Sequence, residues 1–187
     1  PKREDGEHAW VSIIAGCDNF CSYCIVPYTR GRERSRPFID ILKEIAEIDL
    51  VRFPKIMFLG QNVNSYKNEK TDLPKELIEK LGITADVPPV KDFADLLSVV
   101  NMVPGITQID FLTSHPKDMS EKLIDILGAC EKMGKEIHFP LQNGNNRILQ
   151  LMNRGYTYEQ YKELVNKIRK KVPGAVISTD LIVGFPS

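Results

Sequence analysis

The stretch from Ala15 to Pro37, AGCDNFCSYCIVPYTRGRERSRP, constrains this chain more than any other. It holds three of the four cysteines, Cys17, Cys21 and Cys24, in the spacing C-x3-C-x2-C. Three thiolates offered by one short loop form a metal site with a vacancy. A structural zinc ion normally closes with four protein ligands. A [4Fe–4S] cluster has four irons, so three cysteines leave one iron open to a ligand that is not protein. Tyr23 precedes the third cysteine and Phe20 the second. Both rings can shield such a centre from solvent. With three of four cysteines clustered, a disulfide framework is not expected, and the spacing points to metal in a reducing cytosol.

The chain around this loop alternates strand and helix patterns. WVSII, Trp10 to Ile14, reads as a buried strand that ends at Gly16–Cys17. Phe38, Ile41, Leu42, Ile45 and Ile48 fall on one face of a helix. KIMFL, Lys55 to Leu59, is a second strand stopped by Gly60. From Tyr66 to Val90 the pattern is polar and broken by prolines, with a short helix at Leu73 to Leu81, as in an insertion or a flexible loop. Asp92 opens a helix with Phe93, Leu96, Leu97 and Val100 inward, and Ile106 to Leu112 is a third strand. Asp118 with Glu121 resembles a capping box, and Cys130 closes that helix as an inert core residue. Glu136 to Leu141 is a fourth strand, followed by a short helix at Asn146 to Met152. Thr157 with Gln160 caps a helix whose Tyr158, Tyr161, Leu164, Val165 and Ile168 turn inward. Ala175 to Val183 is the fifth strand. Five such units predict an α/β domain around a parallel sheet, too few for an eight-stranded barrel.

Composition excludes little. The chain has 25 basic and 25 acidic residues, so global charge announces no nucleic-acid partner. Arg30, Arg32, Arg34 and Arg36 lie close together and could face phosphate, or form a solvated loop. No run approaches the length of a membrane span, and the polar start carries no secretory segment. Residues 1–7 read as a linker, and a start without Met suggests a piece of a longer protein.

In parallel α/β folds ligands sit at the carboxyl ends of strands. Those ends carry the cysteine loop, Gly60-Gln61-Asn62, Thr113-Ser114-His115-Pro116, Gln142-Asn143-Gly144, and Asp180 with Gly184. Asp180, within an apolar strand, would need a partner. His115 and His138 have no metal-ligand spacing and suggest local hydrogen bonds, while His8 falls in the linker region.

The motif C-x3-C-x-aromatic-C resembles the signature of radical S-adenosylmethionine (SAM) enzymes. The longer string GCDNFCSYCIVPYTRGRERSRP, with LGQNVNSY, FLTSHP, LQNGNNRIL, MNRG and STDLIVGFP in order, resembles the methylthiotransferases, and among them the tRNA branch. The resemblance runs from about His8 to Ser187. It implies a partial parallel (β/α) barrel of the radical SAM type, truncated at about five βα units of a (β/α)6 barrel, with residues 8–187 as an incomplete core domain. It implies a [4Fe–4S] cluster on Cys17, Cys21 and Cys24 with one open iron, and SAM bound there. The Gly60-Gln61-Asn62 turn would meet the methionyl amine, and Ser114 and Gln142 the ribose or methionyl group. Arg154 would pair with the carboxylate. Tyr23 and the Val183–Gly184 backbone would meet the adenine. An electron passed through the cluster would yield a 5′-deoxyadenosyl radical. The outcome would be insertion of sulfur and a methyl group at C2 of an N6-isopentenyladenosine beside the anticodon.

The family also carries an auxiliary [4Fe–4S] cluster in an N-terminal domain and usually a C-terminal RNA-binding domain. Neither is recognisable in this sequence, so the chain is expected to be a catalytic core unable to complete the reaction alone. The full protein would meet tRNA and an electron donor such as a flavodoxin or ferredoxin, with no membrane partner. Related members act on threonylcarbamoyl-adenosine in tRNA or on a ribosomal protein. A different class of reading is a non-catalytic RNA-binding module in which zinc holds the loop.

Overall fold

The structure is a computed structural model, and it describes residues 6–69 and 73–186. Of the expected 1–7 linker, residues 1–5 lie outside the described residues. Strand β1 (His8–Ser12) pairs in parallel with β4 (Lys55–Leu59), and β4 pairs in parallel with β5 (Gln108–Phe111). Strand β6 (Glu136–His138) pairs in parallel with β7 (Val176–Ser178). A single parallel bridge, Ile109 to Met133, joins the two groups. Gly134 makes that approach possible, because a Cβ there would lie 1.7 Å from the Asp110 Oδ1. The five parallel strands thus follow one another in chain order, as strand–helix alternation predicts.

One face of this row carries the core. Ala9, Val11, Ile56, Phe58, Ile109, Phe111 and Ile137 alternate along the strands and are buried. They pack beneath helices α2 (Phe38–Ala46), α4 (Phe93–Asn101), α5 (Glu121–Ala129) and α7 (Tyr158–Lys171). The opposite face is open, with Trp10 at 49% exposure. Each fully buried Ile or Phe contributes roughly 1.5–3 kcal/mol, so the helix-covered face holds the fold together.

Several boundaries differ from those read in the sequence. The first strand splits, and β2 (Ile14–Ala15) turns away to pair antiparallel with β3 (Arg34–Ser35). The expected fourth and fifth strands shrink to three residues each. Asp180 therefore lies outside any strand and is exposed, so the expectation of a buried carboxylate does not hold. Its partner is His138, at 3.2 Å. Helix α5 is capped by Ser120, whose side chain accepts from the Leu123 N–H, and not by Asp118. Asp118 sits in a preceding 3-10 turn, Pro116–Asp118, and takes a hydrogen bond from Asn62. Tyr158 is 38% exposed because it opens α7 beyond the core, and Leu164 and Val165 are only half-buried. His8 belongs to β1, where its Nε2 lies 3.6 Å from the Asp110 carboxylate.

The 66–90 segment is more ordered than an insertion. It contributes helix α3 (Lys75–Lys80), and Leu77, Leu81, Ile83 and Val90 join the core. Asn68 ties it down by accepting from the Phe38 N–H and donating to the Val90 carbonyl. Residues 70–72 lie outside the described residues. The helix face of Phe38, Ile41, Leu42 and Ile45, the Asp92 cap and the Thr157–Gln160 capping box are as read. Cys130 is buried, and burial pushes its thiol up.

Candidate metal and cofactor site

The cysteine loop leaves β2 at Gly16 and returns through β3. Gly16 has φ +79°, and a Cβ there would lie 2.2 Å from the Arg32 carbonyl oxygen. Only glycine allows the two arms of the loop to cross so closely. Asp18 clasps the arms, accepting from the Glu33 N–H at 3.1 Å and pairing with Arg32 at 2.9 Å. A five-residue helix, α1 (Val26–Arg30), follows Cys24 within the loop and was not visible in the sequence. Cys17 and Cys21 are buried, and Cys24 is half-buried. Burial raises the Cys17 thiol pKa, and nearby Cys21, Glu33 and Cys24 raise it further, against a lowering hydrogen bond from the Asn19 backbone.

The strand ends are stitched to the loop and to one another. The Gly16 N–H donates to the Gln61 Oε1 at 2.8 Å. The Thr113 hydroxyl donates to the Gly60 carbonyl, and the Ser114 hydroxyl to the His138 carbonyl. The Gln142 N–H donates to the Asp180 carbonyl at 2.9 Å. Gly60 packs against Ile14, whose Cγ2 would lie 2.1 Å from an added Cβ. Asn62 is buried, and its Nδ2 donates to Asp118 at 2.6 Å while its Oδ1 has no partner. Residues read as ligand contacts thus also build a continuous rim.

The segment after helix α6 (Asn146–Leu151) holds the loop from the other side. The Asn153 side chain donates to the Asn19 and Phe20 carbonyls, and the Ser22 N–H donates to the Met152 carbonyl. Arg154 is 3% exposed. Its guanidinium donates to the Tyr156 hydroxyl at 2.9 Å, the Tyr23 hydroxyl at 3.1 Å, the Pro140 carbonyl at 3.0 Å and the Cys21 Sγ at 3.4 Å. Arg154 is therefore no surface ion pair, and four of its five N–H donors are engaged within the protein. The His115 Nε2 lies 3.8 Å from the same sulfur, and its Nδ1 accepts from the Lys117 N–H. Burial, with Arg154 and Lys117 adding to it, lowers the His115 pKa to about 3, so the ring is neutral.

Gly184 has φ +68°, a left-handed backbone that favours glycine, and no protein atom beyond its chain neighbours lies within 4 Å of its Cβ position. Asp180 and Gly184 lie on the exposed segment beyond β7, apart from the Cys21 cluster of contacts. Tyr23, by contrast, is part of that cluster. His115 makes local hydrogen bonds, as its sequence suggests, whereas sequence reasoning missed Tyr156 and Asn153 there. Asn153 lies within MNRG and Tyr156 directly after it, but no local period marks which way those side chains turn. Of the arginines, Arg32 pairs with Asp18 and Arg36 with Glu44, while Arg30 and Arg34 are exposed.

A family model described as the Radical SAM superfamily matches residues 11–187. This chain belongs to the radical SAM superfamily. The chain is 50% identical over 184 residues to a protein of Syntrophomonas wolfei named tRNA-2-methylthio-N(6)-dimethylallyladenosine synthase, covering 98% of this chain and 38% of that protein. Proteins of the same name from Thermodesulfovibrio yellowstonii and Acetivibrio thermocellus are 46% and 48% identical, with 99% of this chain covered and 38% and 35% of theirs. The chain thus spans well under half the length of these relatives. Among solved structures, the radical SAM methyltransferase TsrM of Kitasatospora setae aligns over 97% of this chain and 31% of its own, at TM-score 0.67 and 15% identity. The cobalamin-dependent radical enzyme OxsB aligns over 92% of this chain and 23% of its own, at TM-score 0.63 and 14% identity. At that identity these two support the α/β fold alone.

Radical SAM membership implies a [4Fe–4S] cluster and SAM, and the residues present fit such a group. Arg154 is a buried cation, and no carboxylate pairs with it among the described residues. A buried charge is costly unless paired, and a cluster-bound Cys21 thiolate would supply the missing negative charge. No three His, Cys, Asp or Glu side chains among the described residues converge on a single ion. Zinc needs its ligands in one coordination sphere, whereas a [4Fe–4S] cluster takes each thiolate on a different iron.

Proposed function

We propose that this chain is the radical SAM core of a tRNA methylthiotransferase that modifies C2 of N6-isopentenyladenosine next to the anticodon. The observation that carries this reading is the 50% identity over 98% of the chain to a relative of that name. In it, Cys17, Cys21 and Cys24 hold three irons of the [4Fe–4S] cluster, and SAM takes the fourth. When bound, the cluster supplies one electron to the SAM sulfonium and so the means to break an unreactive C–H bond.

The chain's own residues have three tasks in this reading. Cys17 and Cys21, both buried, and half-buried Cys24 keep the cluster largely out of water. Asp18, Gln61 and Asn153 fix the loop that presents them. The Gly60-Gln61-Asn62 turn, Ser114, Gln142 and Tyr23 line the rim where SAM would lie, with Asp180 and Gly184 at its outer end. Because Gln61, Asn62 and Ser114 also bond within the protein, they would orient SAM from fixed positions. Sulfur for the product would come from an auxiliary cluster held by segments beyond this chain. Those segments would also grip the tRNA, and a flavodoxin or ferredoxin would deliver electrons in the cytoplasm. Among the described residues no helix is long and apolar enough to cross a membrane.

Methylthiolation of defined tRNAs by the full-length protein, read by mass spectrometry, tests the assignment. Product is expected on isopentenylated tRNA. Product confined to threonylcarbamoyl-adenosine tRNA or to a ribosomal protein would replace it with that branch.

A further inference from the structure

Cys21 differs from the other two loop cysteines in what surrounds its sulfur. Two side chains from separate segments reach it, Arg154 at 3.4 Å and His115 at 3.8 Å. Among the described residues no side chain donates to the sulfur of Cys17 or Cys24. The Arg154 guanidinium is permanently charged and buried, and its remaining contacts are hydroxyl and carbonyl oxygens, which offer dipoles and not charge. Among its hydrogen-bond partners in the described residues, a Cys21 thiolate would be the one carrying a balancing charge, since burial pushes the Tyr23 and Tyr156 hydroxyls up and keeps them neutral.

The direction of the His115 bond follows from geometry. Its Nδ1 accepts from the Lys117 N–H at 3.2 Å and so carries no proton. A neutral imidazole then has its proton on Nε2, the atom facing Cys21. The ring is held edge-on against Tyr156 at 5.8 Å between centroids. Both donors are thus built in before anything binds.

We propose that Arg154 and His115 are positioning residues that single out Cys21 as the most strongly stabilised of the three thiolates and raise the reduction potential of the cluster. The inference rests on the reading of Cys17, Cys21 and Cys24 as cluster ligands. Hydrogen bonds to cluster sulfurs and nearby positive charge set the potential of such centres, and both favour the reduced form, which carries one more negative charge. Partners of this kind around metal ligands tune the centre without touching it.

The test uses anaerobically reconstituted full-length protein, with the SAM-responsive cluster signal followed by electron paramagnetic resonance at set potentials. His115→Phe keeps a ring against Tyr156 and removes the donor. Arg154→Gln removes the charge, and Arg154→Lys keeps it. Both His115→Phe and Arg154→Gln are expected to hold as much iron per chain as the parent. Each is expected to be at least tenfold harder to reduce, a shift of about 59 mV to more negative potential for one electron. Arg154→Lys is expected to recover part of that shift. An unchanged midpoint in iron-replete His115→Phe and Arg154→Gln would overturn the inference while leaving the ligand assignment intact. If Arg154→Gln does not fold, His115→Phe decides alone. A parent protein that takes up no iron would instead remove the ligand assignment, and this inference with it.

Discussion

At the scale of single residues, the cysteine loop depends as much on a glycine as on its thiols. Gly16 combines a left-handed backbone with an approach to the Arg32 carbonyl that leaves no space for a Cβ. Gly16→Ala is therefore expected to cost about 2 kcal/mol or more and to lower iron bound per chain, measured by thermal unfolding and iron analysis of the same samples. The three cysteines stand out by spacing alone, three thiols within one short loop. The direction in which Arg154 turns does not. A lone arginine after a helix can turn toward solvent, ligand or interior, and only the packed structure directs it to Cys21. Gln61 and Ser114 show the same limit, since a polar residue at a strand end looks alike whether it meets a cofactor or the next strand.

At the scale of elements, caps and periodicity transferred well where one side chain decides the outcome. Thr157 and Gln160 form a reciprocal capping box, and the α2 apolar face is buried as its spacing predicts. Asp118 failed as a cap because Ser120 competed for α5 and Asn62 took the Asp118 carboxylate. Strand ends failed because the sequence stays apolar beyond the last ladder bond, as in Ala175 to Val183. Asp92 gives a pH-dependent expectation at this scale. Burial opposes its charge, but the hydrogen bonds from Lys122 and the Asp95 N–H outweigh this and hold its pKa below the ordinary 3.8. A carboxylate lowered on folding adds stability above its unfolded pKa and loses it as pH falls through the folded value. Asp92→Asn keeps a capping side chain and removes the charge. It should lower stability near neutral pH by at most about 1 kcal/mol, since the pair is half-exposed and screened. Urea unfolding should show that difference closing as pH falls below 3.8.

At the scale of the whole molecule, the row of strands is unequal along its length. Strand β4 has a partner on each side, whereas β7 pairs only with three-residue β6 among the described strands. The two groups meet through one bridge. Local opening follows such differences. Native-state hydrogen exchange should find β4 amides the slowest and β7 amides among the fastest of the strands, and equal protection would contradict this. The parallel order was legible from alternation, but the thinness of the β5–β6 junction was not, because it depends on the contact between Gly134 and Asp110. The bond from the Gly16 N–H to Gln61 has a temporal meaning as well. The loop that would receive iron lies near the start of the chain, yet its shape is set by groups as late as Gln61, Asn153 and Arg154. Residues as far along as Arg154 must leave the ribosome before those contacts can form, so the thiols would take their places only after more than a hundred following residues have emerged.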